Sequence, residues 1–262
     1  MPELTKRVLI SIIFIPIIIF VLYVEGIPLY IMFLLVSILG TQEYIYMMKK
    51  AAIPISKLWL LFNPLLYSLW VFFPAQELSI FWIALLVALL HPLVAWDAQK
   101  SIPALFAIVF GFIYTALMPA LIVKIGWYYP VKNILLALIL MIWIVDTSAY
   151  FIVVKFGKKR DITPISPHKS REGFIAGLLA PLVISLILYY SGFEYFSALQ
   201  LGLIVIAAGV MGQLGDLLES MLKRYCDVKD SSGLIPGHGG ILDRTDSILL
   251  AGSFLYAALQ VL

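Results

Sequence analysis

The sequence predicts an all-α fold, a polytopic integral membrane protein with about nine transmembrane helices. Three observations predict it. Of 262 residues, 63% are hydrophobic and only 13% charged, whereas soluble domains run nearer half apolar and a quarter charged. The apolar residues gather into nine stretches, and a bilayer core asks for roughly 20 mostly apolar residues per helix. The basic residues are shared so unevenly between the intervening segments that they orient the chain.

The nine stretches are about 8–24, 27–48, 58–73, 78–96, 102–126, 131–154, 174–191, 196–215 and 247–262. The first continues directly from MPELTKRVLI without a small-residue cleavage site, so a retained helix is expected rather than a removed signal peptide. The third and the last are short. Pro16, Pro64, Pro92, Pro119 and Pro181 fall inside the stretches; membrane helices tolerate proline where neighbours satisfy the freed carbonyl. Cys226 is the only cysteine, which rules out an intramolecular disulfide. A net charge of +3 is too small to point to nucleic acid.

With the N-terminus inside and nine helices alternating, the inner segments hold all the lysines and arginines except Lys124 and Lys132. The positive-inside rule therefore favours an N-in, C-out orientation. Two long inner segments result, 155–173 and 213–246. The expected organisation is an N-terminal part, 1–130, for packing and lipid contact, and a C-terminal part, 131–262, that carries both loops. The shared face lets the loops line one site.

The segment 213–246 is unusually polar for this chain. It contains Asp216, Glu219, Asp227, Asp230, Asp243 and Asp246, six of the fifteen acidic residues, with Lys223, Arg224, Lys229, Arg244 and His238. Ionisable groups at a membrane are costly and usually functional. Gly209, Gly212 and Gly215 recur every three residues, which lets a second helix approach closely. Asp216 and Glu219 project roughly together, and two carboxylates at a helix end suit a hard cation; the plainer alternative pairs Glu219 with Lys223. Lys223, Arg224 and Lys229 suit phosphate, or form an ordinary basic flank. The glycine-rich run Gly237, His238, Gly239, Gly240 offers backbone N–H groups to an anion, or is a plain loop. Asp243 and Asp246 follow at the foot of the last helix, where Asp246 also fits an N-cap.

The middle segment adds Asp146, two to three turns inside its helix; it is a functional candidate by position, or a buried hydrogen-bond partner. Ser166-Pro167 before Lys169 suits a turn presenting a cation. Other chemistries are poorly served: there is no G-x-x-x-x-G-K-[ST] loop, no zinc ligand set and no G-x-S-x-G elbow.

These residues resemble the phosphatidate cytidylyltransferase (CDP-diacylglycerol synthase) family. Its C-terminal signature, S-x-x-K-R-x-x-x-x-K-D-x-[GSA]-x-x-[LIF]-P-x-H-G-G-x-x-D-R-x-D, is filled by Ser220, Lys223, Arg224, Lys229, Asp230, Ser232, Ile235, Pro236, His238, Gly239, Gly240, Asp243, Arg244 and Asp246. Asp146–Tyr150, Phe156-Gly157 and the block from Ser166 to Gly173 resemble the family too. The chain departs from it at Val153-Val154, where the family has a glycine-arginine pair, and at His168 and Arg171.

The resemblance implies that CTP and phosphatidic acid give CDP-diacylglycerol and pyrophosphate at the cytoplasmic face of the inner membrane, in a homodimer. It implies Mg²⁺ held by Asp216 and Asp243, with room for an accessory monovalent cation such as K⁺. Asp246, Lys223 and Lys229 complete the expected catalytic set. Lys169, Ser166, Arg224, Asp230, Gly237, His238, Gly239, Gly240, Arg244 and Asp146 are the expected substrate contacts. The rival readings are a cation-coupled transporter, which would place ionisable groups near the midplane of several helices, and a related lipid kinase or nucleotidyltransferase with another lipid acceptor.

Overall fold

The computed structural model describes residues 3–94, 96–129, 131, 133–156, 165–166, 169–235, 237 and 239–261. Among them the regular structure is helical, and a lone bridge between Ile235 and Gly239 is the only β pairing. The helices are α1 (Glu3–Val24), α2 (Gly26–Lys50), α3 (Trp59–Phe72), α4 (Glu77–Val94), α5 (Ser101–Phe112), α6 (Met118–Tyr128), α7 (Ile134–Phe156), α8 (Arg171–Tyr190), α9 (Ala198–Ile206), α10 (Gln213–Tyr225) and α11 (Leu242–Gln260). A π-helical turn, Ile113–Leu117, joins α5 to α6, and a second, Ala207–Gly212, joins α9 to α10. The described residues therefore form nine continuous rods at the nine apolar stretches.

Six rods are long and apolar enough to cross a membrane: Gly26–Lys50, Pro74–Val94, Ser101–Tyr128, Ile134–Lys155, Arg171–Tyr190 and Ala198–Tyr225. Trp59–Phe72 is apolar but shorter, and α1 is apolar along Ile12–Val24. The rod α11 begins with Asp243, Arg244 and Asp246, whose charges dilute its apolar character. On these six the protein is a multi-pass membrane protein.

The chain divides into two compact units, 1–130 with 223–245, and 131–222 with 246–262. In the first, α2 packs against α1, α3 and α6, and α4 against α5. Its core includes Phe33, Tyr44, Tyr67, Trp70, Phe112 and Ile122. Inside this core Asn63 donates to Thr115 Oγ1 (2.9 Å), which in turn donates to the Gly111 carbonyl (2.9 Å). Buried polar groups need such partners because desolvation without them costs several kcal/mol.

In the second unit, α7 packs along α8, and both meet the Ala207–Gly212 turn. The expected glycine contacts are distributed over three neighbours. A Cβ on Gly209 would lie 3.2 Å from Pro181, one on Gly212 3.7 Å from Ile142, and one on Gly215 2.5 Å from the Asp246 carbonyl. Gly215 thus lets the backbones of α10 and α11 touch. Val153, one of the departures from the family pattern, fills the groove over Gly173, where a Cβ would lie 2.5 Å from Val153 Cγ2.

Candidate active site

In the first unit, the segment from Lys223 to Thr245 is held by two carboxylates. Asp243 is in the first turn of α11, ahead of the apolar run that starts at 247. Its Oδ1 accepts from Lys223 Nζ at 2.6 Å. Its Oδ2 accepts from Ser231 N, Ser231 Oγ and Gly240 N, each at 2.8 Å. Burial pushes this carboxyl up, yet the Lys223 hydrogen bond, the Gly240 N–H, the Lys223 charge and the Ser231 hydroxyl outweigh it. The group is held below the usual carboxylate range because these contacts favour its charged form.

Glu43, projecting from α2, is the second carboxylate, and only 4% exposed. Its Oε1 accepts from Ser232 Oγ (2.6 Å) and Ile241 N (2.9 Å); its Oε2 accepts from Leu242 N (2.9 Å), with Ser231 Oγ at 3.0 Å. Glu43 therefore caps α11 from a distant part of the chain, supplying acceptors to amides that a helix start leaves without intrahelical partners. The sequence reading missed it. A signal was present, since a carboxylate inside an apolar helix is a functional candidate by default.

The glycine loop takes its shape from these contacts. Gly237 and Gly239 have φ of 76° and 79°, in the left-handed region that glycine enters without penalty. Gly240 has no room for a side chain, because a Cβ would run into Ser231 Oγ and Glu43 Oε1. The N–H groups of Ser231, Gly240, Ile241 and Leu242 point inward to Asp243 and Glu43. A cavity of about 670 Å³ adjoins the loop, lined among others by Gln42, Tyr46 and Lys50 of α2 and by Lys229, Asp230 and Ser232. Cys226, next in sequence to the lining residue Asp227, is buried, and burial pushes its thiol up to about 11.

In the second unit, Lys169 Nζ meets Asp216 Oδ2 at 2.6 Å, and Ser220 Oγ lies 3.3 Å from Asp216 Oδ1. The Lys169 N–H donates to the Ser166 carbonyl at 3.2 Å. The next residue, Ser170, is the N-cap of α8 and accepts from Gly173 N at 3.0 Å, a contact that fixes a helix start and so fixes Lys169 just before it. A cavity of about 250 Å³ is lined among others by Asp146, Tyr150, Lys169, Phe174, Gln213 and Asp216.

The expected residues thus fall into two groups. Asp146, Lys169 and Asp216 share the second unit's cavity, with Ser166 in the adjoining turn. Lys223, Asp243 and Gly240 interlock in the first unit, where Lys229 and Asp230 line the larger cavity. Arg224 and Arg244 are exposed. Asp246 accepts from Ser247 N at 2.7 Å and turns its carbonyl toward Gly215. Pro236 and His238 lie outside the described residues, as do Gly157, Pro167 and His168.

Residues 5–262, nearly the whole chain, match the profile of the Cytidylyltransferase family. The chain belongs to this family. Relatives carry the name phosphatidate cytidylyltransferase. The protein of Bacillus subtilis (strain 168) is 46% identical over 121 residues, 46% of this chain and 45% of the relative. That of Staphylococcus aureus (strain COL) is 46% identical over 111 residues, 42% of each. That of Haemophilus influenzae is 37% identical over 187 residues, 66% of this chain and 62% of the relative. The chain spans less than half the length of the Bacillus and Staphylococcus relatives it matches. Membership in the cytidylyltransferase family does not favour the transporter reading.

Proposed function

We propose that this chain transfers a cytidylyl group from CTP to phosphatidic acid, giving CDP-diacylglycerol and pyrophosphate. The observation that carries the reading is the pair of lysine–carboxylate contacts, Lys223–Asp243 and Lys169–Asp216, on motif residues of a cytidylyltransferase chain. In the reaction, an oxygen of the lipid phosphate bonds to the α-phosphorus of CTP. The bond from that phosphorus to the bridging oxygen of the β-phosphate breaks, and pyrophosphate leaves with the electron pair. A phosphate monoester already carries about −1.5 to −2 charge near neutral pH, so no strong general base is needed. Positioning and charge neutralisation supply the catalysis.

Each of the two carboxylates has the chemistry of a Mg²⁺ ligand. Among the described residues no group of three or more His, Cys, Asp or Glu gathers into a cage; Mg²⁺ uses one or two carboxylates together with phosphates and water. Asp216 Oδ2 and Asp243 Oδ1 each already face an ammonium, so each points an oxygen at positive charge. Asp216 and Asp243 are the residues proposed to hold Mg²⁺, which when bound supplies charge neutralisation for the triphosphate. Lys223, Arg224, Lys229 and Arg244 offset triphosphate and pyrophosphate charge. Lys169 holds a substrate phosphate. Asp230, Asp146, Ser166 and the 237–240 loop, His238 included, are further substrate contacts, and Asp246 supports the catalytic carboxylates. An accessory cation such as K⁺ and a homodimer belong to the same proposal.

The proposed location is the cytoplasmic face of the inner membrane, following the lysine and arginine distribution. Phosphatidate stays in the bilayer, since each buried CH₂ contributes about 0.8 kcal/mol, while CTP stays in water. The test incubates purified protein in detergent with Mg²⁺, phosphatidate and CTP labelled at the α- or γ-phosphate. Label from α but not γ should enter lipid. Lipid labelled from γ indicates a kinase, and unlabelled lipid with correctly folded protein overturns the reading.

A further inference from the structure

We propose that Glu43 of α2 is a positioning residue for the nucleotide-handling loop, acting through Ser231, Ser232 and the start of α11: it borders the cavity of about 670 Å³, but its two oxygens are taken up by these groups. This rests on the cytidylyl-transfer reading for its kinetic part. The geometry carries it. An ionised carboxylate has about four lone-pair sites, and Glu43 faces four donor groups: the Ser232 hydroxyl, two backbone amides, and the Ser231 hydroxyl, whose one proton it shares with Asp243. Ile241, which precedes α11, has no side-chain acceptor, so the helix start depends on a group from elsewhere. The negative charge also sits at the helix end where the dipole favours it.

Ser231 links Glu43 to Asp243. Its hydroxyl has one proton, with Glu43 Oε2 at 3.0 Å and Asp243 Oδ2 at 2.8 Å. The two carboxylates therefore share one donor, and Ser231 is wholly buried between them. Asp243 Oδ2 is pinned by three donors, which leaves Oδ1 as the oxygen directed at Lys223. Glu43 holds two of the elements that do the pinning: Ser231 through its hydroxyl, and the end of the glycine loop through Ile241 and Leu242. Losing Glu43 should let the loop shift, misaligning Asp243 and the loop's own proposed CTP contacts.

The chain's single cysteine supplies a readout that does not depend on activity. Cys226 is 2% exposed and belongs to the segment that Glu43 holds down, so its maleimide labelling rate reports the opening of that segment. Glu43→Gln keeps the volume but presents an NH₂ group where acceptors are needed; Glu43→Ala removes the contacts outright. Both variants should label Cys226 about tenfold faster or more. The KM for CTP should rise about tenfold while the KM for phosphatidate stays within about twofold. Ser232→Ala removes one donor and should move both readouts by about two- to threefold in the same direction.

Wild-type labelling in both Glu43 variants overturns the proposal. So does an equal loss toward both substrates, which marks general damage. If neither Glu43 variant folds, Ser232→Ala decides: unchanged Cys226 labelling overturns the proposal. If the wild-type chain transfers no cytidylyl group, the functional reading fails, and Cys226 labelling still decides what Glu43 does.

Discussion

Lys223 and Asp243 meet at 2.6 Å with side chains 13% and 6% exposed, whereas Lys169 and Asp216 meet at the same distance with 27% and 39% exposed. The same contact serves two different ends. Asp243 also takes three donors from a buried loop, so it anchors local structure as well as offering an oxygen to positive charge. Asp216 has, besides Lys169, one long contact from Ser220 among the described residues. Solvent screening makes a pair of this kind worth little to stability, and such a pair changes partners at small cost. Distance alone does not separate an anchoring carboxylate from an exchangeable one; burial and the number of other donors do.

The comparison is most exposed to Asp243→Asn. Cytidylyl transfer should fall by about 10³-fold or more, measured as labelled lipid per folded protein; near-normal turnover would remove Asp243 from the proposed metal site. Next comes Lys223→Ala, which leaves a buried carboxylate without its cation and should cost about 2–3 kcal/mol in denaturant unfolding. In the second unit, Ser170→Ala removes the cap of α8 and should cost about 1 kcal/mol. Lys169→Ala should cost under about 0.5 kcal/mol. A loss there as large as for Lys223→Ala would erase the distinction.

The smallest effect expected is that of pH near neutrality. Asp243 is held below its unfolded value, about 3.9, so its unfolded form binds the proton more readily. Its contribution is fully present above that value and is lost as pH falls through the lower, folded one. Melting temperatures at pH 6 and pH 7 should therefore agree as far as this group is concerned. Any fall due to Asp243 should begin only below about pH 4 and be absent in Asp243→Asn.

Much of the fold was legible because a bilayer ties hydropathy directly to helix formation. Each of the nine apolar stretches corresponds to a continuous rod, and among the described residues six of the rods meet the length and hydropathy expected of a span. The signature residues were legible through their fixed spacing. Lys169 was placed beside a turn by Ser166-Pro167, and its pairing with Asp216 is a long-range contact that spacing does not reveal. Glu43 was harder. It is one carboxylate in a helix some 190 residues from the loop it holds, and no local pattern links it to Ser231 or Ile241. The grouping of 223–245 with 1–130 depends on the same contacts. The glycines were expected to present N–H groups to an anion; in the structure the Gly240 N–H meets Asp243, because a buried carboxylate has to be satisfied first.

The π-helical turn Ala207–Gly212 has a consequence for how this chain tolerates change in length. A π turn carries one residue more than the α-helix it interrupts, and each residue of an α-helix advances the azimuth by about 100°. Deleting one residue there would do more than shorten a rod by about 1.5 Å. It would swing Asp216 about the helix axis, away from Lys169, and turn Gly215 out of the seam it shares with α11. Angular phase, rather than length, is what the inserted residue encodes, and a second residue inserted elsewhere in the rod could not restore it without passing the error to another face.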